Sequence, residues 1–255
     1  MFKTIRIIIL LALLLAVAAS AAWQRWRMHA WTSPQVVTLY PINADGSAAT
    51  ELYLQALRAA DFQPLAQRLN EEAARHGLAL AQPLRVSLGS QAQSRPPDAP
   101  QQGGALAAMR WSLALRWWAW RHTPPSSPIP DVKLYLLFHS DAEQLPHSVG
   151  LQQGRLGIAH VFANPAQAGS NLVVIAHELL HTFGASDKYD PATLQPRLPE
   201  GYADATAQPL LPQAQAELMA GRIPVGAGQL RMPRDLGETV VGEATAREIG
   251  WSGKP

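Results

Sequence analysis

Apolar positions along the chain recur in three kinds of pattern. The first is an unbroken run over residues 7–23, led by the cations Lys3 and Arg6. As a helix it spans about 25 Å, slightly short of a hydrocarbon core of about 30 Å. The second is the short β-type run: residues 35–42 (Val36, Val37, Leu39, Tyr40), 84–88, 131–139 (Val132, Leu134, Leu136, Phe138) and 155–164. The third is the helical run: residues 48–76, 105–121, 171–183 and 235–251. Pro64 is expected to kink or divide the first of these, and Gly77 to stop it. Asn43-Ala44-Asp45-Gly46 is a turn signal, residues 91–104 form a Gln/Pro/Gly-rich loop, and 124–130 is a stiff Pro-rich linker. No internal repeat is visible. The order predicts an α/β (α+β) domain with a mixed sheet over residues 32–255, preceded by an N-terminal hydrophobic helix within residues 1–31.

That N-terminal segment predicts export. Ala19-Ser20-Ala21 has the small-x-small form of a signal-peptidase site. Arg25 and Arg27 follow directly, and Trp23, Trp26 and Trp31 have the character of interfacial anchors. An uncleaved signal-anchor and a cleaved signal peptide therefore both stand. Each places the catalytic part outside the cytoplasm, periplasmic or extracellular, on a membrane in the first case and secreted in the second.

Composition narrows the field less. A length of 255 residues with 47% apolar content suffices for one sizeable core, and a formal charge of +2 argues against a nucleic-acid partner. No cysteine is present, so disulfides and thiolate-bound metals are excluded.

The chemistry concentrates in the helical run at 171–183. His177-Glu178-Leu179-Leu180-His181-Thr182-Phe183-Gly184-Ala185-Ser186-Asp187 reads H-E-x-x-H-x-x-G-x-x-D. Residues four apart share a helix face, so His177 and His181 can present imidazoles to one metal ion. Glu178 lies beside that face, within reach of a water there. Gly184 can adopt a left-handed conformation that ends the helix and returns the chain, bringing Asp187 back as a third ligand. At this chain's His and Glu frequencies a bare H-E-x-x-H arises by chance in about one such sequence in a hundred, and the Gly and Asp make coincidence rarer. The pattern predicts a zinc peptidase site. Alternatives remain open at each position. The histidines can be satisfied by hydrogen bonds, and Asp187 can cap a turn while Asp190, a water or a distant carboxylate supplies the ligand.

The motif resembles that of the metzincin clan of zinc metallopeptidases, and within it a snapalysin-like group whose last position is Asp. The resemblance covers about residues 171–221. It implies His177, His181 and Asp187 as zinc ligands, Glu178 as general base for hydrolysis of peptide bonds, and a protein or peptide as substrate. It also implies a methionine turn beneath the metal, for which Glu217-Leu218-Met219-Ala220-Gly221 is the candidate, with Met219 as the methionine. The strand before the metal helix is then expected to be an edge strand that binds substrate, through Gly157, Ile158, Ala159 and His160. Tyr189 can donate to an oxyanion or simply pack, and no Tyr stands at position 221. His160 is read as structural rather than as a second metal ligand.

Three other readings are weighed. A gluzincin-type site would take Glu200 or Glu217 as third ligand. A structural or assembly module would bind zinc with its peptidase activity weak or lost, and the intact Glu178 argues against it. The Trp/Arg-rich helix at 105–121 suits either a membrane interface or core packing with Arg stems over apolar surface, and Arg116 lies apart from Arg110 and Arg121 on the helix surface.

Overall fold

Side chains alternate between two buried faces along the central strands, and this alternation builds the molecule in layers. The computed structural model describes residues 2–100, 104–140, 149–151 and 155–252; for residues 2, 3, 13, 20–29 and 149–151 it describes the backbone alone. The elements in chain order are α1 (Phe2–Ala30), β1 (Gln35–Asn43), α2 (Ala48–Ala56), α3 (Gln63–Arg75), β2 (Leu84–Leu88), α4 (Gly104–His122), β3 (Val132–His139), β4 (Val149–Leu151), β5 (Leu156–Phe162), α5 (Ala168–Phe183), β6 (Ala216–Glu217), β7 (Ile223–Gly226), β8 (Gln229–Arg231), β9 (Thr239–Val240) and α6 (Glu243–Glu248).

The main sheet has the order β2-β1-β3-β5-β4; β2, β1, β3 and β5 are parallel and β4 is antiparallel to β5. On one face Val37, Leu39, Leu134, Leu136, Ala159 and Val161 pack with Leu65 and Leu69 of α3 and with Val173, Ala176, Leu179 and Leu180 of α5. The C-terminal segment closes the same layer through Met219, Ile249 and Trp251. On the other face Tyr40, Ile42, Tyr135, Leu137 and Ile158 receive Trp111, Leu115 and Trp118 of α4. Strands buried on both faces read as near-continuous apolar runs, as β3 does.

Several expectations are corrected. β5 is an inner strand, not the edge. Gly157 and Ile158 pair with Leu134 and Tyr135 of β3 on one side and with Gly150 and Val149 of β4 on the other. Ala159 and His160 pair with Leu136 and Leu137 of β3 and are buried. The edge beside it is β4. Gly157 serves packing instead, since a Cβ there would lie 2.3 Å from Leu134 Cδ1 and 3.3 Å from Thr182 Cγ2. The missing side chain lets α5 seat closely on the sheet.

The long helix at 48–76 is divided at Leu57–Arg58, and Pro64 lies in the first turn of α3, where its missing N–H costs nothing. The closing helix is confined to Glu243–Glu248, because residues 236–240 form a 3₁₀ turn and the short strand β9. Trp31 is not an interfacial residue. It is 4% exposed, its Nε1 donates to Ile249 O at 2.7 Å, and its ring meets those of Phe183 and Trp251.

The side chains of Trp23, Arg25, Trp26 and Arg27 and most of the small-x-small site lie outside the described side chains. Among the described residues no helix is long and apolar enough to cross a membrane. The described apolar side chains of α1, such as Ile8, Leu11 and Leu15, are exposed.

Candidate metal centre

The C-terminal half of α5 carries His177, Glu178 and His181, and the helix ends where Gly184 takes φ +110°, a left-handed cap. The cap has a direct consequence for the site. It turns the Ala185 carbonyl back to accept from His181 Nδ1 at 2.8 Å. His177 Nδ1 donates in the same way to Leu218 O at 3.0 Å. A carbonyl can only accept, so both Nδ1 atoms carry the hydrogen and each neutral ring keeps a lone pair on Nε2.

Those two Nε2 atoms lie 3.0 Å apart, and each lies 3.2 Å from Asp187 Oδ1. Asp187 Oδ1 is buried and has no hydrogen bond of acceptable direction, so its contacts with the imidazoles are charge contacts. Three electron-rich atoms in a near-equilateral triangle repel one another unless a cation joins them. A proton can fill that role. Burial lowers the His177 pKa, but the Asp187 carboxylate and the Glu178 charge outweigh it and carry it up to about 9. Burial opposes ionisation of Asp187, yet the two imidazoles hold its carboxyl well below the usual range.

A divalent metal fits the same place. One face of a tetrahedral site with bonds of about 2.0–2.1 Å has edges of about 3.3–3.4 Å, within a few tenths of the triangle seen here. Two imidazole nitrogens and one carboxylate oxygen are ligands suited to zinc, with a fourth position left over.

Glu178 stands beside this triangle. It offers an oxygen within 4.8 Å of the histidine ligand atoms, is 4% exposed, and its Oε2 has no hydrogen-bond partner. Asp187 Oδ1, at 3.2 Å from both imidazoles, is the closer third atom, although His177, Glu178 and His181 also form a group that could hold a metal ion. Burial raises the Glu178 pKa most, the two histidines lower it, and Asp187 raises it further. A raised carboxyl pKa is what a proton acceptor needs.

Of the groups that hold the triangle, the turn at Met219 was a candidate in the sequence, whereas Glu248 and Lys188 were not apparent there. Glu248 of α6 grips both residues flanking Asp187. It accepts from Ser186 N and Ser186 Oγ at 2.8 Å each, and from the buried Lys188 Nζ. The Lys188 backbone N–H donates to Met219 O at 3.0 Å. Met219 is fully buried within a turn in which Ala220 N and Gly221 N both donate to Glu217 O, with Gly221 at φ +72°. Leu218 in that turn supplies the carbonyl for His177, so one turn orients both His177 and the segment bearing Asp187. The contacts of Glu248, of Lys188 N with Met219 O and of His177 with Leu218 O have no sequence signal, since each joins residues far apart through a side chain or a carbonyl.

The remaining candidates fall elsewhere. Glu217 is buried and its oxygens accept from Ala220 N, Gly242 N and Thr245 Oγ1, so it braces the turn and α6. Glu200 is largely exposed and lies 3.9 Å from Lys188 Nζ. Asp190 accepts from Ala192 N and Thr193 N and caps a turn. The structure brings none of these three to the histidine pair among the described residues. Tyr189 has its ring 6.5 Å from that of His177, and burial, with Asp187 beside it, raises its pKa. His160 is 8% exposed, with Nδ1 3.0 Å from His139 Nε2, on the sheet face away from α5. No protein-family model matches the chain, and no curated protein matches it.

Proposed function

We propose that this chain is a zinc-dependent endopeptidase of metzincin-like type, with His177, His181 and Asp187 as ligands. The observation that carries the reading is the triangle of two Nε2 lone pairs and one carboxylate oxygen, with the unpartnered Glu178 carboxyl alongside. Zinc held there would supply Lewis-acid polarisation of a carbonyl and acidification of water. The residues of the chain do the rest. Leu218 O and Ala185 O fix both histidine tautomers, so that the Nε2 lone pairs are committed to one point. Asp187 offsets part of the cation's charge. Glu178 Oε2 accepts a proton from the attacking water and returns it to the departing amine nitrogen. Tyr189, beside Asp187, is assigned to donate a hydrogen bond to the developing oxyanion.

The mixed sheet against which α5 packs, and the turn around Met219, support the metzincin-like reading. The basic lead and exposed apolar residues of α1 support export through that segment, kept as an anchor or removed. The domain then works outside the cytoplasm.

The test is proteolysis of an unstructured protein such as casein by the zinc-loaded full chain and by Glu178→Gln. The reading requires hydrolysis by wild type, a loss of about a hundredfold or more in Glu178→Gln, and retained zinc in that variant. Equal activity in the two would refute the role of Glu178. No activity in either, with zinc bound, would favour a zinc module without peptidase chemistry.

A further inference from the structure

The metal centre leaves α4 unexplained. Its inner face is spent on the sheet, where Trp111, Leu115, Trp118 and Ala119 are buried. Its outer face is also apolar. Leu106, Met109, Leu113, Trp117 and Trp120 are between 57% and 78% exposed. At about 100° per residue these five fall within a stripe roughly 80° wide, centred on Leu113 and opposite the buried face. Arg110 and Arg121 lie along one border of the stripe and Arg116 along the other, each about 60–80° from its centre, and all three are exposed. The helix has three zones: a core face, an apolar outer stripe, and cationic borders. It contains no Asp or Glu.

The borders decide what can cover the stripe. A second copy laid stripe to stripe would bring arginine rows together with no carboxylate on either helix to meet them. An anionic lipid surface satisfies both zones at once, since the apolar stripe enters the acyl boundary while the guanidinium groups reach headgroup phosphates. The two exposed tryptophans suit that depth, because indole favours the membrane–water interface. We infer that α4 is a second membrane contact, a helix lying in the surface of an anionic bilayer through Leu106, Met109, Leu113, Trp117 and Trp120. Because α4 and α5 occupy opposite faces of the sheet, this docking directs the His177–His181–Asp187 side of the domain away from the lipid, toward substrates in the aqueous phase. The inference rests on the proposed export reading in the form in which α1 is kept as an anchor, and the test follows the two contacts separately.

The chain has no cysteine, so single-cysteine variants report one place each. Nitroxide is attached at Leu113→Cys in the stripe, Leu14→Cys in α1 and Gln67→Cys on the exposed side of α3. The full chain is reconstituted in phosphatidylcholine vesicles containing about a third phosphatidylserine. Accessibility to oxygen is compared with accessibility to a water-soluble nickel chelate. The Leu113 label is expected to become oxygen-accessible and chelate-protected in these vesicles, and the Gln67 label to remain aqueous. Replacing Arg110, Arg116 or Arg121 by Gln is expected to lower the docked-to-free ratio at Leu113 about fivefold each. An aqueous Leu113 label beside an inserted Leu14 label would overturn the docking while leaving the anchor standing. A Leu113 label already shielded in vesicle-free solution would overturn it in favour of protein covering the stripe. Protection in vesicles that is indifferent to the three arginine substitutions would overturn the electrostatic part and with it the choice of an anionic surface.

Discussion

Glu248→Ala is expected to damage two things at once, the stability of the domain and the hold on Asp187. The carboxylate accepts from Ser186 N, Ser186 Oγ and Lys188 Nζ, and Lys188 is 3% exposed. Removing one partner of a buried pair costs about 3–5 kcal/mol, because the other charge is left without compensation. The Glu248 side chain is 32% exposed, so water can reach the gap, and Glu200 at 3.9 Å offers Lys188 a weaker partner. A discounted figure of about 2–3 kcal/mol follows. Loss of an outer partner of a metal ligand typically weakens binding about 10–100-fold, and here the partner braces both neighbours of Asp187. Urea unfolding gives the first quantity, and zinc titration against a competing chelating dye gives the second. Lys188→Met on top of Glu248→Ala should recover much of the stability, since it removes the stranded cation, but should not recover the affinity for zinc. Zinc affinity within twofold of wild type in a Glu248→Ala chain that shows the stability loss would refute the claim that Glu248 positions Asp187.

Gly157→Ala should cost about 1–3 kcal/mol in the same urea assay, because the added Cβ displaces Leu134 and presses on Thr182 of α5; a neutral outcome would mean that α5 does not depend on this close approach. His160 gives a pH dependence. Burial, then the neighbouring His139, pushes its pKa down to about 4 from 6.5. The unfolded chain therefore takes up the proton first, and stability is lost as pH falls from 6.5 toward 4, by about 3 kcal/mol at the lower end. Unfolding curves of wild type and His160→Asn across that window should show a slope in wild type that the variant lacks, and parallel slopes would contradict the assignment. Gly184→Ala should cost about 1 kcal/mol or more and weaken zinc binding, since φ +110° strains any residue with a Cβ and the cap sets the Ala185 carbonyl on His181; unchanged zinc affinity in a folded variant would count against that link.

The clustering of His177, His181 and Asp187 was legible in the sequence because it is mostly local. The i, i+4 spacing of His177 and His181, with Gly184 three residues on, follows from helix geometry and one left-handed turn, and that is how the structure arranges them. The strands were legible for a similar reason, since runs such as 132–139 are apolar on both faces and flanked by turn residues. What failed was non-local or ambiguous. β4 is a three-residue strand without a pattern of its own, so β5 looked like the edge. The closing helix was read too long because Leu236, Val240 and Val241 continue an apolar rhythm, although Gly237, Gly242 and the β-branched run between them favour a turn and a strand. Trp31 was assigned to an interface from its neighbours, and only tertiary packing against Phe183 and Trp251 shows its place. Arg116 stands apart from Arg110 and Arg121 because both faces of α4 are apolar and the arginines lie at the borders.

The most direct measurement on the central claim is zinc content, by elemental analysis, of the folded, metal-replete full chain as wild type and as Asp187→Ala. The account predicts about one zinc per chain in wild type and a large loss in the variant, because Asp187 Oδ1 is the third corner of the triangle. A folded wild-type chain that takes up no zinc, or an Asp187→Ala chain that keeps it in full, would contradict the account.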